Sequence, residues 1–161
     1  GISVMASSVD NIERVKKLMG VQMISYDKIN QLRHVRYLKD KEHTLALMKK
    51  HAAILGPKFK CVLSHLNEEI SPLGIAQWQE PKGGYFVSVY TLPGLARRTL
   101  ALCKEAGVVM TGAGATYPYG VDPSDSNIRI APSFPSTEEL DTAMHIFCVC
   151  LRAAALEKLL A

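Results

Sequence analysis

The chain has 161 residues, 48% of them hydrophobic and 21% charged, which suits one ordinary domain with a real core and excludes a largely disordered polymer. Its 19 Lys and Arg against 15 Asp and Glu give a net charge of +4, but the basic residues are scattered in short pairs such as Lys16-Lys17, Lys49-Lys50 and Arg97-Arg98. A nucleic-acid surface needs a basic stripe interleaved with aromatics, so no nucleic-acid partner is expected.

The four cysteines, Cys61, Cys103, Cys148 and Cys150, form no C-x-x-C pair, and the last two sit two apart on a predicted helix, pointing to different sides. They are expected to be small buried hydrophobes in a reducing compartment, not a metal site. No apolar run approaches the ~18 residues that cross a bilayer, so no membrane partner is expected. Gly1 to Ser8 lack the basic region and long apolar stretch of a signal peptide, and a cytoplasmic protein fits.

Gly1 to Ala6 reads as a buried strand stopped by Ser7-Ser8, and a chain that starts mid-strand suggests a piece of a longer one. Ser8 can cap a helix to about Met19, with Val9, Ile12, Val15 and Leu18 at helical spacing and Gly20 as its stop. A short helix follows Asp27, with Ile29, Leu32 and Val35 inward. From Glu42 a long helical pattern runs to Ile70, and Gly56-Pro57 predicts a kink or break in it.

The character then changes. Ile75–Gln79 and Tyr85–Tyr90 read as strands around the turn Glu80-Pro81-Lys82-Gly83-Gly84. Leu95–Ala106 is an amphipathic helix, Val108-Val109-Met110 a buried strand, residues 111–126 a glycine- and proline-rich loop, and Asn127–Ser133 a strand. Ser136-x-x-Glu139 is a capping box that opens the last helix. Helices first, then strands interleaved with helices, predict an α+β fold with helices packed on a small mixed sheet. The long helical pattern suits a connector between two domains, and a pair of core helices explains it as well.

Arg129 is the informative residue. In Asn127-Ile128-Arg129-Ile130-Ala131 side chains alternate, so Ile128 and Ile130 point into the core and Arg129 faces the other side. An arginine in an apolar strand calls for an anion, and its planar fork suits a carboxylate held by two parallel hydrogen bonds. A structural Asp or Glu, or a side chain lying over the sheet edge, answers the same pattern.

The run Ser126-Asn127-Ile128-Arg129-Ile130-Ala131-Pro132, with Tyr117-Pro118-Tyr119-Gly120 before it and a capped terminal helix after it, resembles the end of fold type I pyridoxal-phosphate-dependent aminotransferases. Asn30-Gln31-Leu32-Arg33-His34 and Gly83-Gly84-Tyr85-Phe86 make it most similar to the aspartate aminotransferase-like group, over nearly the whole chain. The resemblance implies that residues 1–40 close the large cofactor domain and connector, and that 41–161 form the small C-terminal domain. It also implies a parent homodimer that uses pyridoxal 5'-phosphate to move an amino group between an amino acid and a 2-oxo acid, with Arg129 gripping the substrate carboxylate.

The family's Schiff-base lysine lies shortly before the position that matches Gly1, so none of the lysines present corresponds to it. No arginine occurs before Arg14 to match the family's phosphate-binding arginine. This chain alone is therefore expected to be inactive and to hold the cofactor poorly.

Other candidates are weaker. Gly112-Ala113-Gly114-Ala115-Thr116 has the glycines of a phosphate cradle but leads into Tyr117-Pro118, not a helix, so a substrate-side loop or plain connection is expected. Tyr117 and Tyr119 are candidates for lining the pocket. The five histidines are well separated, and His43 and His51, eight apart, lack the i, i+4 geometry of a metal pair, so no metal site is expected. Cys103 has no evident activating partner. A second reading, a free-standing α+β module that binds a small carboxylate or dimerises without catalysis, uses the same arginine.

Overall fold

A computed structural model describes residues 1–161. It is α+β, in the order α1 (Val9–Gln22), α2 (Lys28–Leu38), α3 (Lys41–His65), β1 (Ala76–Trp78), β2 (Val87–Thr91), α4 (Ala96–Glu105), β3 (Asn127–Ile130) and α5 (Thr137–Leu160). Two compact units emerge, Gly1–Lys50 and His51–Ala161.

In the first unit the cap expected at Ser8 is in place, and the helix expected after Asp27 is capped by that residue. The Ser8 side chain accepts from the Asn11 amide, and Asp27 accepts from the Asn30 amide at 2.8 Å. The strand expected at Gly1–Ala6 is absent; those residues are irregular and exposed. A strand is held by hydrogen bonds to a neighbouring strand, and residues 1–50 contain none. Helix α1 runs through Gly20, since glycine within a helix costs only ~1 kcal/mol relative to alanine. The stripe expected to face inward on α2 is exposed, with Ile29 at 77% and Val35 at 65%. Helical spacing defines a face, but burial needs an opposing surface.

In the second unit α3 runs on through Pro57, where the sequence predicts a kink or a break, so the helix is not broken there. One missing backbone donor is offset by intact turns on both sides. After His65 the helix widens into a π-helical turn, Leu66–Ile70, then a 3-10 turn, Ser71–Leu73, and Gly74 ends it at φ 64°.

The sheet is antiparallel throughout, not mixed, in the order β1-β2-β3. Val87 and Val89 of β2 lie opposite Ile130 and Ile128 of β3. All four are buried, and the core they belong to includes Leu66, Ile70, Met144, Phe147 and Leu151. The strand expected at Val108–Met110 is irregular, with Val109 83% exposed. That segment lines a cavity together with residues of β3 and α5 and makes no ladder, so β3 is an edge strand.

The capping box is as the sequence predicts: Ser136 Oγ accepts from the Glu139 amide at 3.1 Å, and Glu139 Oε2 accepts from the Ser136 amide at 2.9 Å. Ser136→Ala is expected to lower stability by about 1 kcal/mol, read as a lower urea midpoint at unchanged slope.

Candidate functional site: an unpaired arginine on the polar face of the sheet

Alternation in β3 works as the sequence implies. Ile128 and Ile130 are 1% and 3% exposed, and Arg129 lies opposite Ser88 on the other face. Phe86, two residues before Ser88, provides a platform: the guanidinium carbon of Arg129 stands 4.4 Å from its ring centroid. The Nε of Arg129 is buried and has no hydrogen-bond partner. The arginines that do form ion pairs are Arg97, Arg98 and Arg152, so no structural acid meets Arg129. A buried guanidinium donor without an acceptor is destabilising by about 1–3 kcal/mol or more.

The same face is tied together by side chains. Asn127 Nδ2 donates to Ser88 Oγ at 2.9 Å, and Thr116 Oγ1 donates to Asn127 Oδ1 at 2.6 Å, which fastens the glycine-rich loop to the strand beside Arg129. Within that loop Gly114 has φ +81°, and a Cβ there would stand 2.2 Å from the Gly120 carbonyl oxygen, so only glycine fits. The loop is thus folded on itself and is not an open phosphate cradle.

Asp122, 5% exposed, sets the start of β3 by accepting from the amides of Ser124, Ser126 and Asn127 at 3.0, 2.8 and 2.7 Å. Burial works against its charge, but those amides outweigh it and hold the carboxyl below the ordinary aspartate range. A carboxylate depressed in the folded state contributes stability above its unfolded value, about 3.9, and loses it as pH falls through the lower folded value. Asp122→Asn is therefore expected to lower the urea midpoint at pH 7 and to flatten its decline below pH 4.

The two tyrosines differ. Tyr117 is half-buried, and partial burial followed by the nearby Asp122 and Tyr90 raises its phenol. Tyr119 has a left-handed backbone, φ 59°, and is fully exposed, so its side chain is in solvent and not against Arg129. Arg129 also lines a cavity of about 830 Å³, with Thr111, Phe134 and Phe147 on its walls. The acid of that wall, Glu139, is engaged by the Ser136 amide. No lysine lines it.

Phe86, Asn127, Thr116 and Asp122 escape a reading that stops at Arg129. Two of them have a signal: Phe86 is the diagonal cross-strand neighbour of the arginine, and Asp122-x-Ser124-x-Ser126 has the spacing of a side chain capping its own loop.

A three-stranded antiparallel sheet backed by helices, with an unpaired arginine on its polar face, defines a small α+β domain. The family model for aspartate amino-transferase matches residues 1–161, and the chain belongs to that family, matching its C-terminal part. It is 45% identical over 157 residues to an aspartate aminotransferase of Corynebacterium glutamicum, covering 98% of this chain and 36% of that relative. The crystal structure of an aspartate transaminase from Corynebacterium glutamicum superposes with a TM-score of 0.83 at 45% identity, over 94% of this chain and 36% of the other. An α-aminoadipate aminotransferase from Thermus thermophilus, complexed with N-(5'-phosphopyridoxyl)-L-leucine, shares the fold at 16% identity and a TM-score of 0.71, over 93% of this chain and 37% of the other. The chain thus spans little more than a third of these proteins. No helix is long and apolar enough to cross a membrane.

Proposed function

We propose that these residues are the C-terminal segment of a pyridoxal-phosphate-dependent aminotransferase, which moves an amino group between an amino acid and a 2-oxo acid, and that Arg129 binds the substrate carboxylate. The observation that carries this reading is a guanidinium that meets no acid of the chain and is already stacked on Phe86. Stacking fixes the plane of the fork, so a carboxylate arriving in that plane accepts two charge-assisted hydrogen bonds with little further ordering. Held at the carboxylate, the substrate keeps one orientation of its α-carbon, which is the condition for breaking one chosen bond there. Tyr117, beside Asp122 and Tyr90, is a candidate for closing the polar side of the pocket, and Tyr119 becomes one only if its exposed ring is covered.

Pyridoxal 5'-phosphate supplies the electron sink for that chemistry when bound. The residues of the Arg129 cavity do not fit its anchoring, since no lysine stands on the wall, and this segment is assigned the substrate side alone. By itself the chain is then inactive. Residues 1–40 close the large cofactor domain and connector, residues 41–161 form the small domain, and the parent is a cytoplasmic homodimer. The exposed apolar residues Val21, Ile24 and Ile29 support a larger assembly around the first unit.

The test is amino transfer by the full-length protein with added pyridoxal phosphate, followed as 2-oxo acid formed from a panel of amino acids. Turnover with at least one donor is expected from the full-length protein and none from residues 1–161. A full-length protein that binds the cofactor yet transfers no amino group from any donor would overturn the proposal.

A further inference from the structure

Away from the Arg129 face, the end of α3 and the start of α5 bring together side chains that the reading above does not use. Cys61, His65 and Glu69 follow one another at intervals of four, and Asp141 and His145 repeat that interval on α5. On a helix that spacing stacks side chains on one face. The π-helical turn Leu66–Ile70 carries Glu69. His65 Nε2 lies 2.8 Å from Asp141 Oδ1, and Cys61 Sγ lies 4.0 Å from the same oxygen. The three ligand atoms all fall within 4.8 Å of one another.

We infer that Cys61, His65 and Asp141 form a zinc site that joins α3 to α5, with Glu69 orienting the histidine. Thiolate, imidazole and carboxylate converging from two helices is a donor set that suits Zn²⁺, and a thiolate disfavours Mg²⁺ and Ca²⁺. With Zn–S at about 2.3 Å and Zn–N and Zn–O at about 2.0–2.1 Å, tetrahedral ligand atoms stand roughly 3.3–3.5 Å apart. Asp141 Oδ1, 2.8 Å from the ring and 4.0 Å from the thiol, brings its own two separations toward that range by moving roughly half an ångström toward the thiol. That side chain is 68% exposed and free to make the adjustment.

The partner that would orient the histidine is already in place. With Nε2 on the metal, His65 Nδ1–H donates to Glu69 Oε1, 2.9 Å away, the carboxylate–histidine–zinc relation that fixes ring and tautomer. Glu69 in turn accepts from Arg152 at 3.2 Å and stands 3.3 Å from His145 Nδ1. The three ligands also line an open cavity of about 780 Å³, which leaves a route in for the ion and a fourth position for water. Zinc binding displaces the proton of the Cys61 thiol.

The intact, reduced protein is titrated with Zn²⁺ against a chromophoric chelator, and separately with Co²⁺ as a spectroscopic stand-in. One ion per chain is expected, with a near-ultraviolet thiolate-to-cobalt band. Cys61→Ser should abolish the band. Glu69→Gln should keep it while weakening affinity roughly 10- to 100-fold. Asp141→Asn, on an exposed side chain, should weaken affinity even if the cysteine variant misfolds. His43→Gln, at a histidine of the first unit outside this cluster, should change nothing. Absence of stoichiometric binding, or binding unmoved by both Cys61→Ser and Asp141→Asn, would overturn the site.

Discussion

Arg129→Ala in the full-length protein is expected to lower kcat/KM for the amino acid substrate by on the order of 10²- to 10⁴-fold. A bidentate carboxylate loses two charge-assisted hydrogen bonds, each worth about 1.5–3 kcal/mol, and each 1.36 kcal/mol is about a factor of ten in rate. KM should rise because the carboxylate is held in the bound substrate, and kcat should fall because the α-carbon loses its fixed orientation. Arg129→Lys should recover part of the loss: it restores a charge but not the planar fork, and its ammonium does not stack flat on Phe86. Folding should be nearly indifferent, since Arg129 makes no ion pair and its Nε is unsatisfied. Steady-state kinetics with the amino acid and with the 2-oxo acid, beside a thermal melt, separate these effects. Unchanged kcat/KM in a folded Arg129→Ala protein would mean that the carboxylate binds elsewhere.

What could be read from the sequence was what depends on near neighbours. The caps at Ser8, Asp27 and Ser136 are short-range chemistry, and all three are in place. The alternation that turns Arg129 away from Ile128 and Ile130 is a property of any strand, and the structure keeps it. What depended on a distant surface was not legible. Gly1–Ala6 and Val108–Met110 are apolar enough to be strands, but pairing is decided by whether another edge lies alongside, and none does. The stripe of Ile29, Leu32 and Val35 has a correct period and no cover. The Cys61, His65 and Glu69 spacing is plain in the sequence. Asp141, which completes that cluster, is 76 residues beyond His65 and is brought there only by the packing of α5. The Arg129 site divides in the same way. Its arginine was legible, whereas the fastening of Thr116 to Asn127 required the fold.

The second large effect concerns stability. Phe147→Ala is expected to destabilise the protein by about 3–5 kcal/mol, the range for deleting a buried aromatic side chain when the space does not close. Phe147 is 1% exposed on α5, within the core that includes Val87, Val89, Ile128 and Ile130, so its ring is part of what holds the apolar face of the sheet to the helix. It also lines the cavity that Arg129 lines, and removing the ring enlarges a space of about 830 Å³ that neighbours have already failed to fill. Collapse is therefore unfavourable, and the loss should sit toward the upper end of the range. At about 2–4 °C per kcal/mol for a chain of this size, the melting midpoint should fall by roughly 6–20 °C. Phe134→Ala provides the contrast: that ring lines the same cavity but is 98% exposed, and its removal should change stability by no more than about 0.5 kcal/mol. Equal losses from the two variants, measured by urea unfolding, would show that cavity lining and not burial against the sheet decides stability here. A large loss from Phe147→Ala alone would place the stabilising contact at the junction of α5 with β2 and β3, the layer on whose far side Arg129 stands.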